Sequence, residues 1–92
     1  MASPHAEVFD ESARWRLSRE ASIRDEAFGA LAYDHGTRRL VFLKSRSLVE
    51  VVRRLDEFEC ARDAVMALAP ESQRGVTRAL ASLAAAGIIR GD

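Results

Sequence analysis

The chain has one cysteine, two prolines and five glycines, and its aromatic residues are four Phe, one Trp and one Tyr. With Cys60 alone, neither an intramolecular disulfide nor a repeated Cys-x-x-Cys metal site is available, and a reducing, cytoplasmic compartment is expected. There is no signal-peptide core and no apolar run near the about 20 residues of a membrane helix, so neither export by that route nor a membrane span is expected. Charge of either sign is not in excess: 14 Lys and Arg balance 14 Asp and Glu. A general pull toward nucleic acid or a lipid surface is therefore excluded, and a charge-driven partner has to read a local patch. What is present, 48% hydrophobic and 30% charged residues over 92 positions, suits one folded domain. A chain of this size buries only about 60 to 65% of its unfolded surface, which leaves a small core and little room for a deep pocket.

Met1 to Ala13 mix Pro, Ser and acids without period and read as a flexible N-terminal arm, residues 1–13, ahead of a domain over 14–92. A loose alternation from Trp15 predicts a first strand near Ala21 to Asp25. Phe28-Gly-Ala-Leu-Ala-Tyr33 and Arg39-Leu-Val-Phe-Leu43 are rich in strand formers and flank Asp34-His-Gly-Thr37, which predicts a hairpin with Gly36 at positive φ. Ser47-Leu-Val-Glu50 matches a capping box and opens a helix to about Phe58, with Leu48, Val51, Val52 and Leu55 as its apolar stripe. A second helix is expected over Cys60 to Leu68. A third, from about Glu71 to Ala86, buries Val76, Leu80, Leu83 and Ala84 and ends in a left-handed cap at Gly87 that Ile88 closes against Leu83. The expected class is α+β: a winged helix-turn-helix-like domain with a three-stranded antiparallel sheet followed by three helices.

Catalysis is not expected. His5 and His35 lack a second His or a Cys at metal-ligand spacing, and Cys60 reads as a small half-buried side chain near a helix start. The acid pairs Asp10-Glu11, Asp25-Glu26 and Asp56-Glu57 read as solvated charge, and the glycines form no phosphate-cradling pattern. No metal or cofactor is implied.

The informative segment is Leu40-Val-Phe-Leu43, apolar at every position. Leu40 and Phe42 point to one face and Val41 and Leu43 to the other, so both faces want cover. If this strand is an edge, its free amides and carbonyls suit another extended chain. Arg38, Arg39, Lys44 and Arg46 bracket it, and Arg74 and Arg78 lie four apart on the third helix; a positive rim around an apolar groove would suit an acidic, apolar-anchored peptide. Ordinary solvated surface is the other reading of these arginines.

Ile23-Arg-Asp-Glu-Ala-Phe-Gly-Ala-Leu-Ala-Tyr33, Thr37-Arg-Arg-Leu-Val-Phe-Leu-Lys44 and Leu48-Val-Glu-Val-Val-Arg-Arg-Leu55 closely resemble the mycofactocin precursor-binding chaperone family, one branch of the PqqD-like peptide recognition elements. The resemblance implies a non-catalytic domain that holds the leader of a short ribosomal precursor peptide and presents it to a radical S-adenosylmethionine maturase. That enzyme would carry the iron-sulfur clusters, decarboxylate the peptide's C-terminal tyrosine oxidatively and cross-link it to the preceding valine. The resemblance further implies leader binding as an added strand along Arg39, Leu40, Val41, Phe42 and Leu43, with Arg74, Thr77, Arg78 and Ala81 as the opposite wall. Leu55-Asp-Glu-Phe58 replaces the Cys-Asp-Gly-like segment of the pyrroloquinoline-quinone members and favours the mycofactocin branch. The competing reading is a winged-helix DNA-binding regulator with Arg74 and Arg78 on the duplex, against which the zero net charge counts.

Overall fold

Strand β3, Gly29–Asp34, alternates cleanly: Ala30, Ala32 and Asp34 are buried, while Leu31 and Tyr33 on its other face are half-buried. The computed structural model describes residues 8–91. In it β3 is the central strand of an antiparallel sheet, with β2 (Ala21–Glu26) on one side and β4 (Arg39–Leu43) on the other. The register sets Ala32 between Ile23 and Val41, and Leu31 between Arg24 and Phe42. The alanines keep the inner face shallow, so α1 (Arg46–Arg54) lies over it with Leu48, Val51 and Val52 buried. The short helix α2 (Ala61–Met66) and the long α3 (Pro70–Ala85) complete the core with Ala61, Ala64, Val65, Val76, Leu80, Leu83 and Ala84. The domain is the expected α+β, winged-helix-like one, a three-stranded sheet followed by helices.

Two further strands were not expected. β1 (Trp15–Leu17) pairs antiparallel with β5 (Ile89–Gly91), with Leu17 opposite Ile89. Each has only three residues, too few to show a period, and their pairing joins the two ends of the domain. The cap before β5 is as expected: Gly87 has φ 77°, and the Ile88 amide donates to the Leu83 carbonyl at 2.9 Å, with both side chains buried.

The start of α1 differs. Ser45, not Ser47, is the cap: its backbone is extended and its Oγ accepts from the Leu48 amide at 3.1 Å, which puts Leu48 where a capping box would need an acid. The α-helical part also stops at Arg54, and Leu55–Glu57 form one tighter 3-10 turn before Phe58. The second half of the expected arm is anchored to α2. Cys60 gives that helix no side-chain cap; the Ala61 and Arg62 amides donate instead to the carbonyls of Ala13 (3.0 Å) and Glu11 (2.8 Å). Phe9 packs on the Trp15 ring at 5.2 Å, and the Trp15 Nε1 donates to the Asp10 carbonyl at 2.7 Å. Residues 1–7, with His5, lie outside the described residues.

In the β3–β4 hairpin the left-handed residue is Arg38 (φ 62°) rather than Gly36, because the loop closes late, with the Arg38 amide donating to the Asp34 carbonyl at 2.7 Å. At Gly36 a Cβ would sit 2.7 Å from the Glu20 carboxylate, the far end of a flexible side chain that can swing aside. The buried Asp34 carboxylate organises the loop, its Oδ1 accepting from the amides of Gly36 (2.8 Å) and Thr37 (3.0 Å). Burial acts to raise its pKa, but these amide bonds, the Ser18 hydroxyl and the Arg90 charge outweigh it and hold the carboxyl below its ordinary value.

Two predictions follow from this framework. Gly29 opens β3 at φ 148°, and a Cβ there would collide with the Leu43 carbonyl oxygen across the ladder. Gly29→Ala is expected to cost at least about 2 kcal/mol, read as a lower urea midpoint at unchanged slope. Asp34, with its folded pKa depressed, contributes stability that is present above the unfolded value of 3.8 and lost as pH falls through the folded one. The stability gap between wild type and Asp34→Asn should therefore be constant near neutrality and narrow on acidification below about pH 4 in urea melts.

Candidate functional site

Among the described residues β4 pairs only with β3, so its second edge is open. On such an edge alternate residues direct their N–H and C=O groups outward, where an extended chain can meet them. The strand's two faces are treated differently. Leu43 is fully buried and Val41 packs half-buried against the core, whereas Leu40 and Phe42 are 54% and 55% exposed. Phe42 meets Phe28, itself 48% exposed, edge to face at 5.6 Å. The inner pair is thus covered by the domain itself and the outer pair is not.

Beside the end of β4 lies an open groove of about 360 Å³. Phe42, Lys44, Ser45 and Leu48 form one side, and Gly75, Val76 and Ala79 of α3 the other. Lys44 is the only charged residue on this lining, so the groove offers apolar contact with one cation at its rim. Gly75 stands inside α3, where glycine costs about 0.5 to 1 kcal/mol relative to alanine. A Cβ at that position would meet nothing within 4 Å, so no packing within the fold requires the glycine; its effect is to leave the α3 backbone bare on the groove wall.

The residues expected at the site divide into two places. Arg39, Leu40, Val41, Phe42 and Leu43 share β4, with Phe42 in the groove. Arg74, Thr77 and Arg78 do not line that groove. They line a separate groove of about 520 Å³ between α2 and α3, together with Glu11, Arg62, Val65, Met66 and Gln73. Ala81 is exposed and lines neither groove. At 100° per residue Arg74 and Arg78 lie roughly opposite the buried stripe of Val76, Leu80 and Leu83, on the outward side of α3, and Gly75 and Ala79 stand between them and that stripe, on the side toward β4. That stripe is readable from sequence; which of its two sides meets β4 depends on where α2 sits. Leu48 and Phe28 also escaped the sequence reading, the first because it counted as core and the second because it counted as strand.

The one hydroxyl on the groove lining, Ser45 Oγ, accepts from the Leu48 amide as the cap of α1. Among the described residues no group of three or more His, Cys, Asp or Glu side chains is placed to hold a metal, and no helix is long and apolar enough to cross a membrane.

A winged-helix-like α+β domain with an unpaired strand edge beside an apolar helix flank is thus the class of protein that fold and site define. Residues 14–90 match the Peptide chaperone MftB family, and the chain belongs to it. Proteins named peptide chaperone MftB are similar to it from Mycolicibacterium smegmatis (48% identical over 60 residues, 65% of this chain and 59% of the relative) and Mycobacterium ulcerans (44% over 66 residues, 72% and 61%). A third, from Mycobacterium tuberculosis, is 45% identical over 56 residues, 61% of this chain and 51% of the relative. The chain thus spans between 51% and 61% of the length of these curated relatives. No solved structure matches it.

Since a methyl group at Gly75 meets open space, Gly75→Ala should raise stability by about 0.5 to 1 kcal/mol in chemical denaturation, the reverse of Gly29→Ala.

Proposed function

We propose that this domain is a non-catalytic peptide chaperone that binds the leader of the mycofactocin precursor peptide along β4 and presents the peptide to a radical S-adenosylmethionine maturase in the cytoplasm. The observation that carries the reading is the open edge of β4 beside the groove of Phe42, Leu48, Gly75, Val76 and Ala79. Membership of a peptide chaperone family supports it.

The leader adds a strand to the sheet, and its backbone takes the amides and carbonyls that β4 leaves free. Its side chains alternate in direction. One set enters the groove against Val76 and Ala79, while the other extends the outer face beside Leu40. Main-chain pairing fixes direction and register, and the apolar side chains add affinity. Arg39, exposed at the start of β4, and Lys44 just beyond its end favour acidic leader residues near those points. Val41 and Leu43 act from beneath, holding the edge flat against the core. Rate enhancement comes from tethering, which keeps the reactive tail near the maturase at an effective concentration of about millimolar for a short linker. Ordering a disordered leader uses part of the contact energy, so the complex need not be extremely tight.

Titration calorimetry with the synthetic precursor peptide tests this. Phe42→Ala, which removes a groove side chain, and Gly75→Leu, which fills the groove, are each expected to weaken binding about tenfold or more while the far-UV spectrum is unchanged. Peptides N-methylated at alternate leader residues should lose affinity in one parity and keep it in the other. Equal affinity for both parities and the unmethylated peptide would remove strand addition from the account.

A further inference from the structure

The groove between α2 and α3 shares no lining residue with the groove beside β4. Its floor is apolar. Val65 is buried there, but Met66, the last residue of α2, is 63% exposed, and its flexible thioether is suited to fitting a partner's side chain. Its charges are unevenly matched. Arg62 is bound to the Glu11 carboxylate at 3.1 Å and is already neutralised. The side chains of Arg74 and Arg78, both residues exposed and one helical turn apart, take part in no hydrogen bond or ion pair among the described residues. An exposed apolar anchor point beside two unmatched guanidinium groups calls for an apolar side chain flanked by carboxylates.

The same features argue against other occupants. A nucleic acid backbone would find the Glu11 carboxylate within the groove, Glu71 one turn before Arg74, and an apolar floor that offers phosphate nothing. A second copy docked about a two-fold axis would bring the identical arginine pair to the interface from both sides. Because the two grooves share no lining residue, both can be filled at once, as a domain that holds one molecule and delivers it to another requires.

We infer that the α2–α3 groove, through Met66, Arg74 and Arg78, docks an acidic, apolar-anchored surface segment of the maturase while the leader occupies β4. This inference rests on the proposed function and assigns its second partner a surface of its own.

The test measures two affinities for each variant: that for the precursor peptide by calorimetry, and that of the cluster-loaded maturase for the chaperone–peptide complex by interferometry. Arg74→Glu combined with Arg78→Glu, and separately Met66→Lys, are expected to weaken maturase binding about tenfold or more. Peptide affinity should stay within about twofold of wild type, since the two grooves share no residue. The arginine variant should also show a flatter salt dependence of maturase binding. The inference is overturned if maturase affinity is unchanged in both variants, if the arginine variant loses the peptide instead, or if wild type does not bind the maturase at all. Wild-type binding of random duplex DNA at low salt, abolished in the arginine variant, would reassign the groove to nucleic acid and overturn it as well. Phe42→Ala judges the leader site separately, so failure of one surface does not mimic failure of the other.

Discussion

The pairing of β1 with β5 decides what the rest of the molecule can offer. These two short strands satisfy each other rather than extending the main sheet, and β2 already closes one side of β3. The chain then leaves β4 directly into α1 through the Ser45 cap, so no segment among the described residues turns back to cover the outer edge of β4. An open edge is ordinarily an aggregation hazard. Here the strand is five residues long and exposes Arg39 at one end, with Lys44 following the other, which limits pairing with unrelated strands while leaving the centre accessible.

The long helix α3 gives the edge its specificity. It packs on α1, α2 and β5, and its buried stripe fixes its rotation about its own axis. Once that rotation is set, the residues on either side have no choice of neighbour. Gly75 and Ala79 turn toward β4; Arg74 and Arg78 turn toward α2. A smooth apolar row and a charged one thus run side by side along a single rod, about 100° apart around its axis. The arginines and the edge strand line different grooves.

The hairpin and the helices were legible because their signals are local. Arg39–Leu43 is a run of strand formers after a turn, and Gly87 followed by Ile88 is a complete cap within a few residues. The failures share a different cause. Ser45 and Ser47 both precede Leu48, and only the extended backbone at Ser45 settles which one caps. The positive φ falls on Arg38 because the Asp34 carboxylate shapes the loop from below, and composition does not report a buried acid. The β1–β5 pairing and the orientation of α3 depend on contacts between distant parts of the chain. The doubly apolar β4 was therefore legible in the sequence, whereas which α3 residues line the groove beside it was not.

The backbone cap on α2 bears on where the folding unit begins. Family resemblance starts at residue 14, yet the carbonyls that receive the first two amides of α2 belong to Glu11 and Ala13, and the indole of Trp15 has its acceptor at Asp10. A fragment trimmed to the matched stretch would leave those donors bare and strip Phe9 from the face of the tryptophan. The cooperative unit thus reaches several residues upstream of the recognisable one, and the short helix that carries Met66 is the element most exposed to that loss.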